Sequence, residues 1–413
     1  VEYKGAFNEK SCDARLYTPV DKAIVTPNSD THYCMFWVDL STEPQVISIP
    51  EMEDDRFYHF QLIDLYTHNF GYLGTLTTGN KAGKYLIAKK GWKGEKPEGI
   101  NDILYCETDL FFVIVRTQLM DENDLPNVKA LQDAYQLQGL NSYLGKESLK
   151  AVKRDNSLVW NDGDEFTAAS LKYINYMLNL TSPVESEIEV RNEFAKLGIG
   201  TEKGFDITLF DEEIQKAIEE GVKEGIQEMT DFAAVNSTDP LVTAKIFGSR
   251  DFLAKSAKEN YNSDNFYVMR AVAAQLGLYG NSGAEAIYPG YMMEAPGVPY
   301  DAAKYNYTLT FKKDELPPVN AFWSLSMYDG ITQLFIHNDL NRYLLTSNML
   351  EDFVYNEDGS LILYLQKEAP EDALKPNWLP APDGPFYSVL RLYGPKEAAL
   401  KGEWVNPPLV KIQ

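Results

Sequence analysis

The sequence predicts a multidomain α+β protein with two antiparallel β-sandwich domains and a helical domain between them. Three observations predict it. At 413 residues the chain is too long for one ordinary core. Runs of β-branched and aromatic residues, broken by turn clusters, fill residues 1–125 and 296–413. Between them, over 126–295, the apolar period becomes helical.

The first block offers strands at MFWVDL (35–40), QVISI (45–49), FYHFQLIDLY (57–66), KYLIA (84–88) and FFVIVR (111–116). The stretch GTLTTGNKAG (74–83) punctuates them. In the middle block, FTAASLKYINYMLNL (166–180) places Leu171, Ile174 and Leu178 on one face with Met177 beside them. LFDEEIQKAIEEGVKEGIQEM (209–229) sets Ile214, Ile218, Val222, Ile226 and Met229 among charges, with Asp211 as N-cap. NFYVMRAVAAQLGLYG (265–280) is mostly apolar and offers Gly280 as C-cap. In the last block YNYTLTF (305–311) alternates, with Tyr305, Tyr307, Leu309 and Phe311 on one side. Strands AFWSLSMY (321–328), LILYLQ (361–366) and FYSVLRLY (386–393) follow, separated by Asp329-Gly330 and Asp358-Gly359 turns.

Composition narrows the partners. A net charge of −23 repels phosphate backbones and anionic membrane surfaces, which argues against nucleic acid. No apolar run is long enough to span a membrane. The first residue is Val1, which fits a processed or trimmed chain and shows no signal peptide. Sequons begin at Asn179, Asn236 and Asn306 and matter only for a secreted eukaryotic protein. Cys12, Cys34 and Cys106 allow at most one intrachain disulfide, whose pairing is open, and three buried thiols are the plain expectation. No CxxC, P-loop, GxGxxG or GxSxG occurs, so no cofactor is named.

Two charged residues continue apolar rows. Asp64 shares parity with Tyr58, Phe60, Leu62 and Tyr66, and Arg116 shares a face with Phe112 and Ile114. A buried charge needs a partner, so Asp64 or Asp30 is expected to pair with Arg116, as a structural bridge or as a clamp on a ligand carboxylate. TPNSDTHY (26–33) brings Asn28 and Asp30 together, either as Asx-type turns or as an oxygen-rich site. His32 and His68 lack metal-ligand spacing. Trp323, Tyr328, Tyr343, Trp378, Phe386 and Tyr393 offer either core aromatics or a stacking surface, with Arg342 and Arg391 beside tyrosines. NWLPAP (377–382) reads as an extended segment over a sheet edge.

FWSLSMYDG (322–330), NRY (341–343), DGSLILYLQ (358–366), NWLPAP and RLYGP (391–395), with PNSDTHY, WVDLSTEP (37–44), LIDLYTHNFGYLGT (62–75) and VRTQ (115–118), carry a resemblance. The chain resembles the paired bacterial and viral domain-of-unknown-function families 1254, N-terminal, and 1214, C-terminal. That resemblance implies an Ig-like sandwich, a helical domain and a jelly-roll-like sandwich, and a periplasmic or extracellular location. It supplies no catalytic residues.

The reading is therefore an exported protein that binds a small molecule in an interdomain cleft. Asn28, Asp30, Asp64, Tyr66, Arg116, Trp323, Tyr328 and Arg342 are its candidate ligand-binding residues. A hydrolase or metal-dependent enzyme in that cleft, and a structural protein assembling as a homo-oligomer, are the alternatives.

Overall fold

The computed structural model describes residues 5–22, 26–149, 152, 158–236 and 239–412. Val1 and the Ser237-Thr238 part of one sequon lie outside them.

Nine strands build the N-terminal region: β1 (Lys10–Asp13), β2 (Thr31–Asp39), β3 (Gln45–Ile49), β4 (Tyr58–Asp64), β5 (Asn69–Gly74), β6 (Gly83–Lys89), β7 (Asp102–Cys106), β8 (Leu110–Gln118) and β9 (Gln136–Gly139). They form a five-stranded sheet in the order β1-β2-β8-β4-β5 and a four-stranded sheet in the order β7-β6-β3-β9. Alternation fixes which side chains meet between them. Phe36, Val38, Phe60, Leu62, Val113 and Val115 of the first sheet share a core with Ile47, Ile49, Tyr85 and Ile87 of the second. Because β9 lies beyond the helix α1 (Leu125–Ala134), this β region extends past residue 125 and takes in α2 (Leu140–Tyr143).

The opposite face of the five-stranded sheet is also covered. Ile63, Phe112 and Ile114 cluster with Tyr33, Met35, Trp37 and Tyr279. Consequently every residue of β4 and β8 is buried.

The helices α3 (Ser170–Asn179), α4 (Ile188–Lys196), α5 (Glu212–Asn236), α6 (Val242–Ile246), α7 (Arg250–Tyr261) and α8 (Tyr267–Gly277) follow. Asp211 receives the Ile214 amide at 2.9 Å, the capping bond its position predicts. The α8 C-cap is Leu278 rather than Gly280, so the helix ends earlier than its composition suggests. Buried Met269, Val272 and Ala273 of α8 anchor the layer, whereas α3 buries no residue and leaves Ile174 and Met177 exposed.

The C-terminal region comprises β10 (Ala286–Ile287), β11 (Gly290–Tyr291), β12 (Tyr300–Asp301), β13 (Asn306–Phe311), β14 (Trp323–Asp329), β15 (Leu344–Thr346), β16 (Leu361–Gln366), β17 (Trp378–Pro380), β18 (Pro385–Tyr393), α9 (Glu397–Leu400) and β19 (Leu409–Ile412). One sheet runs β10-β18-β14-β15, with β11 and β12 also paired to β18, and the other runs β17-β16-β13-β19. Tyr307, Leu309 and Phe311 point into the core between them, although Tyr305 is exposed. NWLPAP supplies β17, a parallel edge strand on β16.

Cys12 and Cys34 face each other across β1 and β2 and form a disulfide, leaving Cys106 as a buried free thiol. Three free thiols are thus corrected to one, because the β1–β2 register brings two of them together. The bridge closes a loop of 22 residues in sequence separation. Replacing Cys12 by Ser should lower unfolding free energy by about 3 kcal/mol, read from urea curves. Dithiothreitol should bring the wild type to the same midpoint and leave the variant unmoved.

Candidate functional site

The PNSDTHY turn sits where the two β regions meet. Asn28 accepts the Asp30 amide on Oδ1 at 3.0 Å, an Asx turn, while its Nδ2 lies 3.0 Å from Tyr393 Oη. This aims the Asp30 carboxylate at the C-terminal sheet. Asp30 Oδ1 receives Tyr393 Oη at 2.9 Å, and Oδ2 receives Ser324 Oγ at 2.5 Å. Beside them, the buried Arg391 donates to Ser326 Oγ at 2.8 Å and to Tyr328 Oη at 2.9 Å. Tyr328 in turn donates to the Pro27 carbonyl at 2.6 Å. Asp30 and Arg391 bond different hydroxyls, and the nearby Asp30 charge favours the charged form of Arg391.

Arg116 lies in the same junction, where the nearest carboxylate of its network, Glu285, is reached only through the His59 ring. Its Nη1 donates to Gln61 Oε1 at 2.7 Å, Asn281 Oδ1 at 3.1 Å and His59 Nε2 at 3.1 Å. All three acceptors are neutral. An arginine nitrogen only donates, so His59 Nε2 must be the unprotonated nitrogen. The proton then sits on Nδ1, which donates to Glu285 Oε2 at 2.7 Å. Burial holds the His59 pKa below its ordinary value, in keeping with a neutral ring. The guanidinium stands 5.5 Å from the centre of the Tyr33 ring. Tyr72, Tyr288 and Tyr393 complete the surroundings, each hydroxyl pushed up by burial and so kept protonated.

The expected ion pair of Arg116 with Asp64 or Asp30 does not form. Asp30 is committed to Ser324 and Tyr393, and Asp64 lies opposite Phe111, five positions along β8 from Arg116. Among the described residues Arg116 has no carboxylate within ion-pair distance, and nothing accepts from its Nη2 or Nε. It is 9% exposed, with the half-buried Tyr33 and Tyr288 beside it.

The other candidates are dispersed. Asp64 and Tyr66 sit at the far end of β4 against the helical layer, where Tyr66 Oη receives Arg191 Nη2 at 2.6 Å. Trp323 belongs to the C-terminal core and edges a groove of about 370 Å³ at the junction, lined also by Asp55, Met120, Leu316 and Leu350. Arg342 donates to the Lys375 and Trp378 carbonyls at 2.7 and 3.0 Å, holding the segment before β17. Asn28, Asp30, Arg116 and Tyr328 are the four that come together. Sequence reasoning missed His59, Gln61, Asn281, Glu285 and Ser324. The register that sets His59 opposite Arg116 is the signal for the first of these.

Residues 7–139 match the family described as protein of unknown function DUF1254, and residues 285–397 match protein of unknown function DUF1214. The chain carries this pair. Between the two matches lies most of the helical layer. The VPA0106 protein from Vibrio parahaemolyticus has a similar structure, with TM-score 0.77 at 25% identity over 94% of this chain and 90% of that one. An uncharacterized protein from Burkholderia cenocepacia matches with TM-score 0.42 at 12% identity, over 94% and 78% of the two chains. No curated protein matches. Among the described residues no helix is long and apolar enough to cross a membrane.

His32 is fully buried, and neither ring nitrogen has a partner. Burial lowers its pKa from 6.5, so the unfolded chain takes up the proton first as pH falls. Its stabilising share is full above about pH 6.5 and is lost below, by up to ~1.4 kcal/mol per pH unit. His32→Leu should therefore shrink the fall in urea midpoint between pH 7 and pH 5. An unchanged fall would place the acid sensitivity elsewhere.

Proposed function

We propose that this is an exported protein that binds a small anionic molecule, through a carboxylate, at the Arg116 guanidinium between its two β regions. One observation carries the reading: a buried cation whose acceptors are all neutral and whose remaining N–H groups are unclaimed. A buried guanidinium with no direct carboxylate partner is costly, and a planar carboxylate matches its free edge. The half-buried Tyr33 and Tyr288 supply flat walls and hydroxyl donors for the body of the ligand, since their oxygens only accept from Asn28 and Asn281.

The arrangement favours binding over hydrolysis. Both ring nitrogens of His59 are occupied, by Arg116 and Glu285, so no free base faces a nucleophile. Export is supported by the facing cysteines of β1 and β2, since such bridges persist in oxidising compartments. We read the two pairs of sheets as an Ig-like and a jelly-roll-like sandwich, which leaves the junction as the place for ligand chemistry.

Differential scanning fluorimetry with a panel of mono- and dicarboxylates tests the proposal. A ligand at a hundred times its Kd should stabilise the wild type by about 2.7 kcal/mol, a shift of several degrees or less in a chain this long. Arg116→Gln should abolish that shift while raising the melting temperature of the ligand-free protein, because it removes a buried charge with no direct ion-pair partner and keeps an amide donor for Gln61 and Asn281. Arg342→Gln should keep the shift. A folded Arg116→Gln that is less stable than wild type, with no carboxylate stabilising either form, would make Arg116 a purely structural donor.

A further inference from the structure

At the other end of β4, a tight turn brings Asp64 and His68 back onto each other. The Asp64 and Thr67 amides bond to the His68 and Asp64 carbonyls at 3.0 and 2.9 Å, with Thr67 at a positive φ of 64°. The His68 amide donates to Asp64 Oδ1 at 2.9 Å. The second carboxylate oxygen, Oδ2, lies 3.7 Å from His68 Nδ1, too far for a hydrogen bond. Nδ1 has no partner, although His68 is 2% exposed. Glu107, just beyond β7, closes the group, and one donor atom from each of the three residues lies within 4.8 Å of the others.

The neighbouring cations are already engaged. Arg250 bonds Glu107 Oε2 at 2.8 Å and Glu187 Oε1 at 2.5 Å. Arg270 donates to Thr67 Oγ1 and to the Leu278 carbonyl. Asp64 is thus left with the His68 amide on one oxygen and the orphan imidazole facing the other. An unpartnered ring nitrogen facing a carboxylate oxygen at non-bonding distance is what a shared cation would bridge.

We propose that Asp64, His68 and Glu107 bind a divalent transition-metal ion, with an imidazole nitrogen and two carboxylate oxygens as its protein ligands. The mixed N/O set without thiolate suits zinc or manganese and does not suit calcium, which takes oxygen alone. Three protein ligands leave a position for water. Arg250 Nη2, buried and also without an acceptor, is available to hydrogen-bond that water. This site is separate from the Arg116 junction and stands or falls independently of it.

The test is titration of chelator-treated, full-length protein with zinc, followed by equilibrium dialysis with elemental analysis. One equivalent should be retained, and Asp64→Asn and His68→Gln should each weaken binding by tenfold or more. His32→Gln, in the same domain but outside the site, should bind as wild type does. Should the buried variants fail to fold, Glu107→Gln at the rim and the cobalt absorption spectrum of the wild type decide the matter. A tetrahedral or five-coordinate cobalt spectrum lost in Glu107→Gln supports the site. Retention of less than a tenth of an equivalent, with no cobalt spectrum, overturns it and assigns the gap to an ordered water.

Discussion

The structure depends on how one face of a β-sheet grips a single turn of chain. Gln61 Nε2 donates to the Tyr279 and Gly280 carbonyls at 3.1 and 3.0 Å. Asn69 Nδ2 reaches the Gly280 carbonyl and Ser282 Oγ, and Tyr72 Oη accepts the Ser282 amide at 2.9 Å. Arg116 holds Asn281, and His59 holds Glu285. Segment 279–285, which joins the helical layer to the C-terminal sheets, thus lies along β4, β5 and β8, with its polar groups satisfied by side chains. Where this segment sits determines where β10 begins, and through Glu285, whose carbonyl receives the Gly394 amide at 2.8 Å, where β18 ends.

An apolar seam reinforces the grip. Phe57 of the N-terminal region packs with Phe322, Tyr393 and Ala286 of the C-terminal one, the Phe322 and Tyr393 rings stacked at 4.3 Å. Polar and apolar contacts have different tasks here. The seam excludes water, while the hydrogen bonds fix register and orientation. Removing water also makes the charge on Arg116 consequential, since a low dielectric strengthens every interaction that charge makes.

Much of the fold was legible because alternation with period two marks strands wherever one face is wet. β13 and β16 show it plainly. β4 does not, because helices and the C-terminal region cover its second face. The row His59, Gln61 and Ile63 is as buried as Tyr58, Phe60 and Leu62, so parity alone could not say which row forms a site. Asn28 and Asp30 stood out because turn-forming side chains advertise themselves. Their partners did not, since Ser324 and Arg391 are hundreds of residues away and only the pairing of β14 with β18 brings them side by side. Asn281 and Glu285 lie in a connection with no period to read. The disulfide was invisible for a related reason, because spacing alone does not set the register of β1 on β2.

The bond between Tyr393 and Asp30 spans 363 positions of sequence. Contacts so distant form late, since loop closure must precede any gain from them. During synthesis the PNSDTHY turn therefore waits with its carboxylate in water until β14 and β18 have left the ribosome. The N-terminal sheets have a core of their own, and the Arg116 junction is assembled in stages. The contacts of Arg116 with His59, Gln61 and Asn281 need only the chain up to residue 281, whereas the Tyr393 bond that fixes Asp30 beside it waits for the last strand pair.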